Sequence, residues 1–220
     1  MKKVAVILCG SGYRDGSEIR ESVAALLALS EAGAQVQCFA PDDFQADVVN
    51  CLTGETVSLE RRNMLVESAR IARGEVKPLI ELDIKDFDAL VIPGGFGAAK
   101  NLCDFASKGS QGKVRPELEK VIIGFFQMKK PIGAICIAPA ILALALKGKK
   151  IQLTVGQSGE TSQELEKLGH SHVSTQVSEA YVDKTHRIVT TGAYMFGTAK
   201  IHEVFHGIKN CVSEVLRLVP

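Results

Sequence analysis

Short apolar runs alternate with longer amphipathic stretches along this chain. Residues 4–8, 36–40, 89–93, 132–135, 152–155, 180–182 and 188–191 read as strands, because each is a brief apolar run bounded by turn formers. Helical spacing predicts a first helix capped by the Ser17 hydroxyl, with Val23, Leu26, Leu27 and Ser30 turned to the core and Gly33 as its left-handed stop. Further helices are expected over 58–73 with Gly74 as the stop, from about Ala98, from Pro116 in a first turn to about Lys129, over 138–146 and over 196–218. Residues 42–57 read as irregular, and 42–80 as the one insertion-like region. The stretch from Asp183 to His186 joins its flanking strands as a hairpin.

Strands interleaved with helices predict an α/β sandwich around a mainly parallel sheet, with the hairpin added. Ligands of such sheets sit beyond the carboxyl ends of the strands, so the loops 9–17, 93–97 and 136–138 are where chemistry is expected. A chain of 220 residues, 46% hydrophobic and 23% charged, fits a single folded domain spanning 1–220 and excludes a disordered one. With 26 Lys and Arg against 25 Asp and Glu, the charge gives no basic stripe, and a nucleic-acid partner is not expected. Nor is a membrane partner, since no apolar run approaches the ~20 residues that span a bilayer. Lys2-Lys3 before an apolar run imitates a signal peptide, but the run is too short for one. Six dispersed cysteines without a CxxC pair then read as free thiols of a reducing compartment, the cytoplasm or, after loss of a transit peptide, the mitochondrial matrix.

The strongest chemical signal is Gly133-Ala134-Ile135-Cys136-Ile137-Ala138-Pro139-Ala140. A strand reaches Cys136 and a helix leaves it at once, the form of a nucleophile elbow, with Ala134 and Ala138 as the small residues two places away on either side. A thiol over a helix amino terminus is expected to ionise readily, because partial positive charge favours thiolate. The alternative is an inert core cysteine. Gly94-Gly95 after a strand frees backbone N–H groups to point into a cavity and, with the N–H of Ile137, to hold an oxyanion. Glu18 and Glu21 open the first helix, where either carboxylate could move a proton to and from substrate, or simply favour the helix start.

Other motifs carry less. His202-Glu203-Val204-Phe205-His206 matches HExxH, but its helix is expected to bury Ile201, Val204, Phe205, Ile208, Val212 and Val215, with both histidines on a flank and no third ligand, so no metal is expected. His170 and His172 read as a solvated loop. Gly10-x-Gly12 lacks the third glycine of a dinucleotide loop, and Arg61, Arg62, Arg70 and Arg73 read as a solvated helix face.

Taken together, the Pro93–Leu102 loop and the Cys136 elbow resemble the PfpI superfamily of the class I glutamine-amidotransferase-like fold. Closer is its ElbB family, also called enhancing lycopene biosynthesis protein 2 or sigma cross-reacting protein. The resemblance extends over Asp15-Gly16-Ser17-Glu18-Ile19, Phe39-Ala40-Pro41-Asp42, Thr53-Gly54-Glu55, Ala69-Arg70-Ile71-Ala72-Arg73-Gly74, Cys136–Ala140 and Val189-Thr190-Thr191-Gly192-Ala193-Tyr194-Met195. It implies a flavodoxin-like three-layer sandwich, a homodimer, Cys136 as nucleophile and Glu21, rather than Glu18, as its partner. It also implies glyoxalase or deglycase chemistry of the hydro-lyase class without a cofactor. Ile137 stands where many of the superfamily's hydrolases carry His, which argues against an acylating Cys-His pair.

The expected function is therefore conversion of a small dicarbonyl, glyoxal or methylglyoxal, to the hydroxy acid through a hemithioacetal on Cys136. Glu21 moves protons, and Gly94, Gly95, Ile137 and Glu18 surround the substrate. The alternative is a non-catalytic redox sensor or metabolic partner-binding protein that uses the same cysteine.

Overall fold

Val4, Val6 and Leu8 point to one side of the first strand and Ala5 and Ile7 to the other, and all five are fully buried. Apolar side chains on both faces are what a strand needs at the centre of a parallel sheet covered by helices on each side. The computed structural model describes residues 1–220. Its strands are β1 (Lys3–Ile7), β2 (Gln35–Ala40), β3 (Val76–Pro78), β4 (Ala89–Ile92), β5 (Ile132–Ile135), β6 (Gln152–Leu153), β7 (Ser171–His172), β8 (Tyr181–Asp183) and β9 (Ile188–Thr191). Seven form one sheet in the order β3-β2-β1-β4-β5-β9-β8. Register runs Val4 to Val36, Val4 to Ala89, Val91 to Gly133 and Ala134 to Thr190, all parallel. Only β8 is antiparallel, with Val182 opposite Val189, so the hairpin expected at 183–186 is present. The parallel pair β6 and β7 stands apart.

Two cores fill the layers. One contains Ile7, Leu90, Ile92, Phe125 and Ile141, beneath α4 (Pro116–Gln127) and α5 (Ala138–Ala145). The other contains Val6, Val91, Val189 and Val212, beneath α1 (Ile19–Glu31) and α7 (Ile201–Leu218). The remaining helices are α2 (Met64–Ala72), α3 (Phe105–Lys108) and α6 (Glu160–Lys167). This is a flavodoxin-like α/β sandwich. From β1 the chain winds outward to β2 and β3, then returns to β4 on the other side. That reversal opens a crevice at the carboxyl ends of β1 and β4.

Several local expectations are corrected. The α1 cap is Glu18, whose carboxylate accepts from the Glu21 N–H, while the Ser17 hydroxyl accepts from Cys9 N. The buried face of α1 is Glu21, Ser22, Ala24, Ala25, Ala28 and Leu29, and Val23 and Leu27 are each 48% exposed. Small residues let α1 lie close to α7 and the sheet, so side-chain size misidentified the inner face. Gly33 does end α1 with φ 69°. The helix expected over 58–73 begins only at Met64, because Asn63 caps it by accepting from Val66 N. Arg61 and Arg62 therefore leave the helix: one stacks over Phe44, and the other pairs with Glu60 and approaches buried Asp15. The turn after Gly97 is π-helical over Ala98–Leu102. The last helix starts at Ile201, five residues later than expected, after a 3-10 turn over Ala193–Met195. Ile201 is exposed, and Phe205 only half-buried. His170 is buried, with Nε2 hydrogen-bonded to the Ala143 carbonyl, and His172 lies on β7, so neither is a solvated loop residue.

Candidate active site

β5 ends at Ile135 and α5 begins at Ala138, which leaves Cys136 and Ile137 to turn the chain. Cys136 makes the turn with φ 63°, a left-handed conformation unusual for a residue with a side chain. Its backbone N–H is tied to the Thr191 carbonyl at 2.9 Å, fixing the turn to the end of β9. Ala134 and Ala138 beside it are fully buried, so the small residues of the elbow are set by packing. Such strain persists where the surroundings enforce it, and it is concentrated at functional sites.

Glu21 reaches this sulfur from α1. Its side chain has no solvent exposure, and each oxygen has a backbone donor: Gly94 N donates to Oε2 and Tyr194 N donates to Oε1, both at 3.1 Å. The carboxyl sits beside Cys136: a Cβ added at Gly94 would meet the Cys136 Cβ and Glu21 Oε2 at once. Burial, reinforced by the nearby Glu18 carboxylate, pushes Glu21 up to about 8. At neutral pH Glu21 therefore holds its proton.

The expectation of a freely ionised thiol is corrected here. Burial, followed by the Glu21 charge when that group is ionised, raises Cys136 well above the ordinary range. The neighbouring N–H groups of Gly95 and Ile137 oppose that rise without cancelling it. The helix-terminus effect is real in direction, but it is smaller than the cost of removing a thiolate from water. Cys136 and Glu21 thus act as a coupled pair: while the pair holds one proton, it carries one negative charge shared between sulfur and carboxylate. The other buried thiols differ. Burial lifts Cys9, Cys103 and Cys211 to about 12 and Cys38 to about 11, and none of these four lines the cavity.

The two glycines have separate tasks. Gly94 is required by contact: an added Cβ would lie 2.6 Å from the Cys136 Cβ and 2.8 Å from Glu21 Oε2. Its N–H is taken by Glu21, so it does not supply the oxyanion donor expected of it. Gly95 has φ 105° and lines the cavity beside Cys136. Glu18 both caps α1 and lines the cavity above the sulfur, and burial raises its carboxyl too. That cavity measures about 320 Å³, within the range of small-molecule sites. Cys136 is 7% exposed and opens onto it.

The composition of the site is narrow. No His reaches Cys136, and no group of three or more His, Cys, Asp or Glu is arranged to hold a metal ion. In the HExxH segment, His202 and His206 stack edge to face on the exposed side of α7, and Glu203 accepts from Lys200 N at the helix start. Its carboxylate is part of a helix cap. Sequence reasoning missed Tyr13, Phe96, Thr161, Tyr194 and Met195 as cavity walls. Their signal was their place in or beside the strand-end loops; Thr161 alone comes from a helix the periodicity did not reveal.

A family model described as DJ-1/PfpI family matches residues 2–199. The chain belongs to the DJ-1/PfpI family. It is 44% identical over 225 residues to a Homo sapiens protein named glutamine amidotransferase-like class 1 domain-containing protein 3, mitochondrial, covering 98% of this chain and 83% of that one. An Ehrlichia chaffeensis crystal structure, described as an isoprenoid biosynthesis protein with amidotransferase-like domain, superposes with TM-score 0.94 at 38% identity over all of both chains. A Candida albicans glyoxalase III superposes with TM-score 0.63 at 13% identity, over 100% of this chain and 98% of that one, a likeness of fold. The human relative is mitochondrial by name, and no helix of this DJ-1/PfpI member is long and apolar enough to cross a membrane.

Proposed function

We propose that the protein is a glyoxalase-type enzyme that converts a 2-oxoaldehyde, glyoxal or methylglyoxal, to the corresponding 2-hydroxy acid without a cofactor. The observation that carries the reading is the buried Cys136–Glu21 pair at the floor of a cavity that Gly95 and Ile137 also line. An aldehyde is electrophilic enough to accept this thiol without a Cys-His pair.

The sulfur attacks the aldehyde carbon. The reacting form of the pair holds one proton, the state reached as Glu21 ionises near pH 8. An S–C bond forms, the C=O π bond opens, and that single proton moves to oxygen, giving a hemithioacetal and leaving Glu21 ionised. The Gly95 and Ile137 N–H groups beside the sulfur steady that oxygen. Glu21, now ionised, takes the C–H proton from the same carbon and returns it to the neighbouring carbonyl carbon through an enediol. The first carbon is thereby oxidised to a thioester and the second reduced to an alcohol, with no external oxidant. Water cleaves the thioester, releases the hydroxy acid and restores the thiol. A carboxyl that is high in pKa and anchored at both oxygens is suited to carrying a proton back and forth near neutral pH.

The redox-sensor alternative requires an accessible thiolate, and the raised, 7% exposed Cys136 suits it less well. The homodimer stays part of the reading. Ile19, Val23 and Leu27 on α1 lie beside exposed Ile201 on α7, in an apolar groove that a second copy would cover. A Val23→Glu variant that sediments as a monomer beside a dimeric parent would support this, and a monomeric parent would overturn it. We place the protein in a reducing compartment, cytoplasm or mitochondrial matrix. The test of function is direct: with chelator present and no added thiol, NMR should show glyoxal converted to glycolate, and absence of glycolate overturns the assignment.

A further inference from the structure

The cavity above Cys136 is much larger than glyoxal. Most of its wall is apolar or aromatic, from Tyr13, Phe96, Ile137, Tyr194 and Met195, with Thr161 and Glu18 as the polar exceptions, and at about 320 Å³ it leaves a two-carbon substrate in contact with few of them. Phe96 is 62% exposed and Met195 37% exposed, and both line this one cavity, so together they make an apolar surface at its mouth.

These walls are held in place. Phe96 N donates to the Tyr13 carbonyl at 2.9 Å, so the two aromatic residues share a backbone link. The Tyr13 hydroxyl accepts from Arg14 Nε at 2.7 Å, and the Tyr194 hydroxyl accepts from Arg20 Nη1 at 3.2 Å. Tyr194 is further tied to Glu21 through its own N–H. A substituent resting on this wall would thus sit at a fixed distance from the reacting pair.

Charge narrows the choice further. The only ionisable groups lining the cavity, apart from Cys136 and the two tyrosines, are carboxylic: Glu18 lines it, and no Lys, Arg or His does. Arg14 and Arg20 stand outside it, each with a hydrogen bond to a tyrosine hydroxyl. A substrate carboxylate or phosphate would have no cation to pair with and would face Glu18, and an unpaired charge in a desolvated site is costly.

We propose that the substrate class is an uncharged 2-oxoaldehyde bearing an aromatic or branched apolar substituent, seated against Phe96, Tyr13 and Met195. The proposal rests on the aldehyde reading of the Cys136–Glu21 pair and deepens it. The reaction keeps its balance: R–CO–CHO plus water gives R–CH(OH)–COOH, the aldehyde carbon being oxidised and the ketone carbon reduced.

The test uses initial rates with phenylglyoxal, methylglyoxal and 4-carboxyphenylglyoxal as probes. Apolar contacts in a pocket are worth about 10-fold or more in discrimination. Phenylglyoxal should therefore exceed methylglyoxal in kcat/KM by about 10-fold, and the carboxylated analogue should fall below phenylglyoxal by at least as much. Phe96→Ala and, separately, Met195→Ala should lower the phenylglyoxal-to-methylglyoxal ratio, which corrects for the intrinsic reactivity of the two aldehydes. A methylglyoxal rate equal to or above that of phenylglyoxal, a carboxylated analogue turned over as well as the neutral one, or an unchanged ratio in both variants would overturn the substrate class while leaving the aldehyde chemistry standing. No turnover of any of the three would overturn both.

Discussion

Glu21, on the first helix, and Cys136, at the turn after the fifth strand, meet in a site where the carboxyl has no solvent exposure and both its oxygens accept backbone hydrogen bonds. Neither group has its usual acidity: burial lifts the carboxyl to about 8 and the thiol higher still. The consequence is a pair that holds both protons at neutral pH and, as the carboxyl ionises near pH 8, keeps one proton to share between sulfur and oxygen.

Replacing Glu21 by Gln should reshape the dependence of stability on pH. Below about 4.5 the folded and unfolded states both hold the Glu21 proton; between there and about 8 only the folded state does. The folded state then binds more protons, so this group's contribution to stability falls as pH rises through that window. Glutamine has no such proton. It also turns an N–H donor towards Gly94 N or Tyr194 N, at a cost of roughly 1–3 kcal/mol. Thermal melts should show Glu21→Gln less stable than the parent near pH 5, with the gap narrowing towards pH 8. Parallel curves would mean that Glu21 is ionised in the folded protein.

Gly94→Ala probes the contact that brings the pair together. The added methyl would overlap the Cys136 Cβ and Glu21 Oε2. Overpacking of this kind costs roughly 1–3 kcal/mol. Turnover should fall by about 100-fold, the scale reported for a small misplacement of reacting groups. A Gly94→Ala protein with parental activity would show that the spacing is not critical.

Mild peroxide followed by peptide mass spectrometry should oxidise Cys51, the exposed cysteine, ahead of the nearly covered Cys136. Selective oxidation of Cys136, together with negligible turnover of dicarbonyls, would favour the sensor reading instead.

The strand–turn–helix around Cys136 was legible because the cause is local: a short apolar strand, a small-residue turn and Pro139 in the first turn of the helix. The hairpin and the parallel sheet followed from the same alternation. Glu21 needed the resemblance, since no local pattern distinguishes a glutamate that faces a thiol from one that favours a helix start. The inner face of α1 was misread because Ala24, Ala25 and Ala28 carry little hydrophobic weight yet permit the closest packing. The ionisation state of Cys136 was misread for a related reason. A helix terminus can be seen in the sequence, whereas the burial that outweighs it arises from the packing of segments distant in the chain. The cavity walls come from four separate loops and one helix, and only the fold brings them together.

The central claim is that the Cys136 sulfur forms the covalent bond to substrate. The most direct measurement is steady-state turnover of methylglyoxal by the parent and by Cys136→Ser, with folding of both checked by thermal melt. A nucleophile's loss removes the reaction path, so the account predicts turnover by the parent and only the uncatalysed background in Cys136→Ser. A Cys136→Ser protein that turns over methylglyoxal at a rate near the parent's would contradict it.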